Sequence, residues 1–421
     1  MIRRSEQRSG GGLARGAAVK LIVVVSCVLI LLAGTGCLQR SDFDQKLAFI
    51  VRPYGFNQID WEFGTIFGDF LQLFRERPPT GQEARDKVEE YFLLGKKINI
   101  LRARAEAGLD GSADAEINQL LEQQAALSDT VEQTLQRQLR QTIENAGIYS
   151  PGYGLLRLKV NFPPVYFKLE EPPNLLVISP KDRIELTKSV LLKSDMSLAT
   201  MAEIEAEVNQ LNVSSLVTGL GGLAATYPSI VTNESDLRFA VETVAHEWVH
   251  EYLAFTPLGF SYVLDLTGIS SDSDIATMNE TAADILGKDI GALLMQEYYP
   301  GQDGSGQEPP EQFDFDAAMR EIRKNVDHYL AQGQIEAAER YMEESRLYLA
   351  SKGYYIRKIN QAFFAFNSQY GDSPGFINQI GLDLRQLRDN SPSLSSFLEA
   401  VSGMTSRKDL DDKLGELSKS R

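Results

Sequence analysis

The sequence has little of what most often carries redox or disulfide chemistry. Of its 421 residues only two are cysteine and three are histidine. Both cysteines, Cys27 and Cys37, lie in the first forty residues, which excludes a disulfide framework or a cysteine-based zinc module in the body of the chain. Basic residues are also in deficit. Against 58 Asp and Glu there are 42 Lys and Arg, a net charge of −16, the wrong sign for a nucleic-acid surface or for an anionic lipid surface in the body of the protein. The longest apolar run, 21–33, is short of the roughly 20 residues of a membrane-spanning helix unless 17–37 is counted despite Lys20, and there is no internal repeat, phosphate-binding loop, dinucleotide fingerprint or serine or cysteine nucleophile motif.

The N-terminus differs from the rest. Arg3, Arg4, Arg8, Arg15 and Lys20 precede the apolar run 21–33, and Gly34-Thr35-Gly36-Cys37 follows it. A basic region, a short apolar core and a small-residue site have the organisation of a secretory signal peptide over residues 1–36. The cysteine at its end resembles the lipobox of bacterial lipoproteins, with Gly34 where that family usually has leucine. The resemblance implies lipidation of Cys37, which also explains a lone thiol in an exported chain. An uncleaved membrane anchor is the alternative. Either way the body is expected outside the cytoplasm and tethered to a membrane.

The chain's other concentrated signal is His246-Glu247-Trp248-Val249-His250, which matches H-E-x-x-H. At ordinary residue frequencies such a match arises by chance about once or twice in a hundred chains of this length. On a helix, residues four apart share a face, so His246 and His250 can offer imidazole nitrogens to one metal ion with Glu247 beside it. Asn233-Glu234-Ser235-Asp236 supplies N-cap candidates for that helix, and Pro257 with Gly259 is expected to end it.

Two histidines do not complete a catalytic site, which needs three protein ligands and an open position. Asn279-Glu280-Thr281-Ala282-Ala283-Asp284, within a helical stretch over 275–298, resembles the N-E-x-x-x-D pattern of gluzincin metallopeptidases. That resemblance implies zinc as the cofactor, Glu280 as third ligand and Asp284 as the acid that orients a ligand histidine. The 29 residues between His250 and Glu280 exceed the usual spacing in the thermolysin-like group, so the loop over 256–274 is read as an insertion or a different connection. Asp265, Asp272 and Asp274 in that loop are competing ligands.

The resemblance further implies a peptide or protein substrate, Glu247 as general base and an oxyanion donor from beyond the ligands. Candidates for the donor are Tyr354, Tyr355, Arg357 and His328. The strand-like, glycine-containing stretch 216–231 ahead of the helix is where an extended peptide would pair. The alternative from another class is a non-catalytic envelope lipoprotein whose zinc site is structural and which binds a partner.

Around this centre the expected fold is α+β and mostly α-helical, a zincin-like core with a small mixed or antiparallel sheet and helical flanks. Residues 37–150 carry an aromatic stripe (Phe63, Phe67, Phe70, Phe74) and then a hairpin of two long helices, 80–104 and 114–145. Residues 151–298 form the catalytic region, with strands expected at 156–162, 174–179 and 184–186 and a helix over 201–211. Residues 299–312 have turn composition, and 313–421 are helical, including 354–366.

Overall fold

The computed structural model describes residues 41–56, 81–106, 113–151, 162–224, 226–233, 236–266, 272–301, 313–371 and 378–419. The leader with Cys37, the aromatic stripe, most of the strand expected at 156–162 and most of 299–312 lie outside the described residues. Among the described residues no helix is long and apolar enough to cross a membrane. The fold is α+β and mostly helical, as the sequence indicates.

Two three-stranded sheets carry the β structure. In the first, β2 (Asn174–Pro180) lies between β3 (Lys188–Leu192) and β4 (Val213–Gly219), all antiparallel. Leu176, Val177 and Ile178 are all fully buried because both faces of β2 are covered, which is why N-L-L-V-I-S is a continuous apolar run rather than an alternating one. Leu176 and Ile178 pack with Leu47 of α1 (Asp42–Val51) and Ile204 and Val208 of α4 (Leu198–Asn209); Val177 packs with Leu216 and Ala362 on the other side. The strand expected at 184–186 is an extended connection, and pairing begins at Lys188.

In the second sheet β6 (Ser229–Val231) pairs in parallel with β1 (Phe167–Leu169) and antiparallel with β5 (Gly222–Leu223), leaving β5 at the edge. The strand-like stretch 216–231 is therefore divided between two sheets, with a turn at 220–221 between β4 and β5.

One core cluster draws on residues from Val88 to Leu410. It joins Val88 and Tyr91 of α2 (Gln82–Glu106) and Leu135 and Leu139 of α3 (Ala113–Asn145) to α5 (Leu237–Leu253) and α7 (Ser273–Tyr298). Leu384 of α11 (Gln379–Asp389), Phe397 of α12 (Leu394–Ser402) and Leu410 of α13 (Arg407–Lys419) close it. A second cluster forms where α8 (Phe315–Ala331) packs on α9 (Ile335–Ser351), around Met319, Val326, Met342 and Leu349. The helix expected over 354–366 shrinks to α10 (Gln361–Asn367). Residues 357–360 are instead fastened to β4 and α4: Arg357 and Lys358 both bond the buried Glu205, and Lys358 and Asn360 both donate to the Ser215 carbonyl.

Glu132 of α3 ties the large core to β1. It accepts from the Leu169 N–H at 2.9 Å and lies 3.1 Å from Lys168 Nζ. Burial pushes its carboxyl up to about 7, against the opposing pull of Lys168 and the Leu169 N–H. A carboxyl whose pKa is higher folded than unfolded contributes stability below about 4.5 that is lost as the pH rises to about 7. At ~1.4 kcal/mol per unit this amounts to about 3 kcal/mol. Glu132→Gln should remove that part of the decline, so denaturant titrations at pH 5 and pH 8 should differ less for the variant than for wild type; equal differences would contradict the assignment.

Candidate metal centre

The centre is built on α5 and α7, two helices buried along most of their length. Asp236 caps α5 by accepting from the Phe239 N–H at 2.8 Å, and Asp272 caps α7 by accepting from the Asp274 and Ile275 N–H groups. Val241, Val244, Ala245, Trp248, Val249 and Leu253 fix the roll of α5 by burial, and Trp248 also donates to the Pro163 carbonyl at 2.9 Å. With those positions inward, His246 and His250 face α7.

Glycine sets how closely α7 approaches. A Cβ at Gly287 would lie 2.9 Å from the Glu242 carbonyl and 3.0 Å from both the nitrogen and Cβ of His246; one at Gly291 would lie 2.6 Å from Glu242 Cγ. The two backbones thus nearly touch beside His246, and Glu280, two turns before Gly287, comes opposite the histidines. Its Oε2 is 3.6 Å from His246 Nε2 and 3.4 Å from His250 Nε2, and the two Nε2 atoms are 2.9 Å apart.

These edges match the separation of roughly 3.3 Å between ligands held about 2 Å from one tetrahedral ion. His246, His250 and Glu280 could therefore hold a metal ion. The donor set of two imidazoles and one carboxylate suits a first-row divalent metal. Asn279 Oδ1 lies 2.7 Å from His250 Nδ1, placed to accept a hydrogen bond from an Nδ1–H, and in the neutral ring that tautomer would leave Nε2 with a lone pair for a metal.

The electrostatics favour a cation at the same point. Burial works against a charged His250, yet the Glu280 carboxylate lifts its pKa to about 9. Burial works equally against a charged Glu280, and the two imidazoles overcome it and hold the carboxyl well below its usual range. Asp284, one turn after Glu280, forms an ion pair with Lys288 at 2.6 Å.

Glu247 faces β5. A Cβ at Gly222 would lie 2.3 Å from Glu247 Oε1, so only glycine lets the strand lie against this carboxylate, and the Ala224 N–H bonds it. Burial raises its pKa while the two histidines oppose the rise. One turn on, Glu251 has both oxygens buried without a well-formed hydrogen bond; burial and then Glu247 push its carboxyl well up, with Ser229 the opposing neighbour.

Two tyrosines complete the surroundings, and neither was among the sequence candidates. Tyr262 lies on α6 (Pro257–Leu266), within the stretch read as a loop. Its hydroxyl donates to Glu280 Oε1 at 2.7 Å, and its ring stacks 6.1 Å from that of His250. Pro257, read as ending α5, instead opens α6, a position that proline favours. Tyr370 follows α10, its ring 6.3 Å from that of His246. Burial raises its pKa well above the usual phenol value, and Glu280, Glu247 and Asp284 add to the shift. The next residue fastens it: the Gly371 N–H donates to Thr281 Oγ1 at 3.0 Å, and a Cβ at 371 would lie 2.7 Å from Asn378 Oδ1. Nothing local in the sequence marks Tyr370.

Three of the four expected oxyanion donors have partners elsewhere, and the fourth, Tyr355, is exposed. Tyr354 stacks on Phe315 at 4.6 Å, Tyr355 is 86% exposed, Arg357 is bound to Glu205, and His328 pairs with Gln332 at 2.8 Å.

The helix contact yields a graded expectation. Gly287→Ala would press on two backbone atoms within 3.0 Å and should cost about 1–3 kcal/mol and weaken metal retention, whereas Gly291→Ala comes within 3.0 Å only of the Glu242 side chain, with the Glu242 Cα at 3.2 Å, and should cost less. Thermal melts and metal content of both variants test the order, and the reverse order would contradict it. Compared with known proteins, no family model, curated protein or solved structure matches the chain.

Proposed function

We propose that the chain is a zinc-dependent peptidase that acts outside the cytoplasm, tethered through its N-terminal leader. The observation that carries this reading is the position of Glu247, a buried carboxylate beside a three-ligand metal cluster yet not one of its ligands. A purely structural metal site has no use for such a group.

Zinc, when bound there, acidifies a water molecule and polarises the scissile carbonyl. The chain's own residues do the rest. Glu247 takes a proton from the water as its oxygen attacks the carbonyl carbon, and delivers that proton to the amine nitrogen as the C–N bond breaks. Its raised pKa suits a group that must both accept and return a proton. Tyr370, fastened beside His246 through Gly371, is the donor to the developing oxyanion. Among the described residues β5 is an outer strand of its sheet, where an extended peptide would pair, and Gly222 brings its backbone against Glu247.

Two variants test these roles in the full-length protein. Glu247→Gln should lower cleavage of a mixed peptide library by on the order of 10²–10⁴-fold while leaving zinc per chain unchanged. Zinc bound without Glu247-dependent cleavage would favour the non-catalytic, partner-binding lipoprotein; no zinc at all would end the metal reading. Tyr370→Phe should lower kcat by about 10²–10³-fold with KM and zinc content little changed. An unaltered kcat would remove Tyr370 from the mechanism.

A further inference from the structure

The 29 residues between His250 and Glu280 are partly filled by α6, and α6 is built to reach back over the metal cluster. It begins within a few residues of the end of α5, with Pro257 at its start and the Phe260 N–H donating to the Thr256 carbonyl at 2.9 Å. Leu258 is fully buried in the large core. At Gly259 the turn is so tight that a Cβ would lie 2.1 Å from the Leu253 carbonyl oxygen and 2.6 Å from the Ala254 nitrogen, both backbone atoms. One helical turn beyond that contact, Tyr262 stands over the end of α5, stacked beside His250 with its hydroxyl on Glu280 Oε1.

The two oxygens of Glu280 are therefore in different situations. Oε2 lies toward both histidine Nε2 atoms, and Oε1 carries the Tyr262 hydrogen bond. A carboxylate free at both oxygens can close on an ion with both; one whose second oxygen already accepts a short hydrogen bond binds with one. We infer that Tyr262 is a positioning residue that restricts Glu280 to one-oxygen metal coordination and so keeps the remaining positions of the ion open to water and substrate. This role rests on the proposed metal site but not on peptidase activity, and it gives α6 a purpose that the H-E-x-x-H and N-E-x-x-x-D patterns alone do not require.

The test is made on full-length protein with zinc and, separately, with cobalt as a spectroscopic probe. Tyr262→Phe keeps the ring beside His250 and removes only the hydroxyl. It should weaken zinc by about 10- to 100-fold in chelator competition, the usual cost of losing a group that orients a ligand. In the cobalt form its visible absorption should weaken as coordination rises from four to five, whereas a substitution that only loosens the fold would leave the band shape of the bound fraction unchanged. Equal zinc affinity and identical cobalt spectra in variant and wild type would overturn the inference while leaving the metal site standing. Should Tyr262→Phe not fold, zinc X-ray absorption of the wild type decides: light-atom ligands at about 2.0 Å without the short carboxylate-carbon path support one-oxygen binding, and its presence overturns it. If the wild type binds no zinc, both this role and the metal reading fall together.

Discussion

The contact on which the site depends is the near touch of α5 and α7 at Gly287 and Gly291. With side chains there the helices would stand farther apart, and Glu280 would no longer reach both histidines. Helices with ordinary side chains at the contact stay 8–10 Å apart, so a closer seam needs glycine. Helices from both ends of the chain hold that seam shut. Tyr91 and Leu135 from the N-terminal pair and Leu384, Phe397 and Leu410 from the last three helices all enter the cluster that contains α5 and α7. A chain of this size reaches such a core only by drawing on segments far apart in sequence, and the two ligand-bearing helices are its centre.

The same closeness creates an electrostatic demand. Glu247 and Glu280 are brought against two imidazoles in a buried setting, with Glu251 one turn farther along α5. Buried carboxylates either protonate or are compensated by positive charge. The chain divides these answers. Glu280 stays ionised because the histidines face it, Glu251 is driven toward the neutral acid by burial and by Glu247, and Glu247 lies between the two. A divalent ion at the His246, His250, Glu280 triangle would supply the positive charge that protons otherwise provide, so protons and metal compete for one position.

What the sequence made legible was what short-range periodicity encodes. The four-residue spacing of His246 and His250, the Asp236 cap, the long α7 with Glu280 on it and the paired helices α2 and α3 all follow from patterns within one element. Partners far apart in the chain did not show. Arg357 has the composition of an oxyanion donor, but its carboxylate is Glu205, 152 residues away, and that pairing fastens residues 357–360 to β4 and α4 instead. Pro257 and Gly259 carried two meanings, since a proline that ends one helix also suits the first turn of the next, and a glycine that signals a loop also permits two helix ends to collide. Only the packing distinguishes them.

That ambiguity bears on why two tyrosines stand at one cluster. They arrive by unrelated routes, Tyr262 on a helix jammed against the end of α5, and Tyr370 on a turn tied to α7 through Thr281. Tyr262 spends its proton on Glu280, so in the proposed reaction it has none to offer a substrate oxygen. Tyr370 lies beside His246, the other histidine, where burial first and then Glu280, Glu247 and Asp284 raise its pKa. In the proposed mechanism one hydroxyl shapes the metal ligand and the other serves the substrate. The two routes meet on α7, where Tyr262 bonds Glu280 and the Gly371 N–H bonds the adjacent Thr281, so a shift of that helix moves both tyrosines' anchors together.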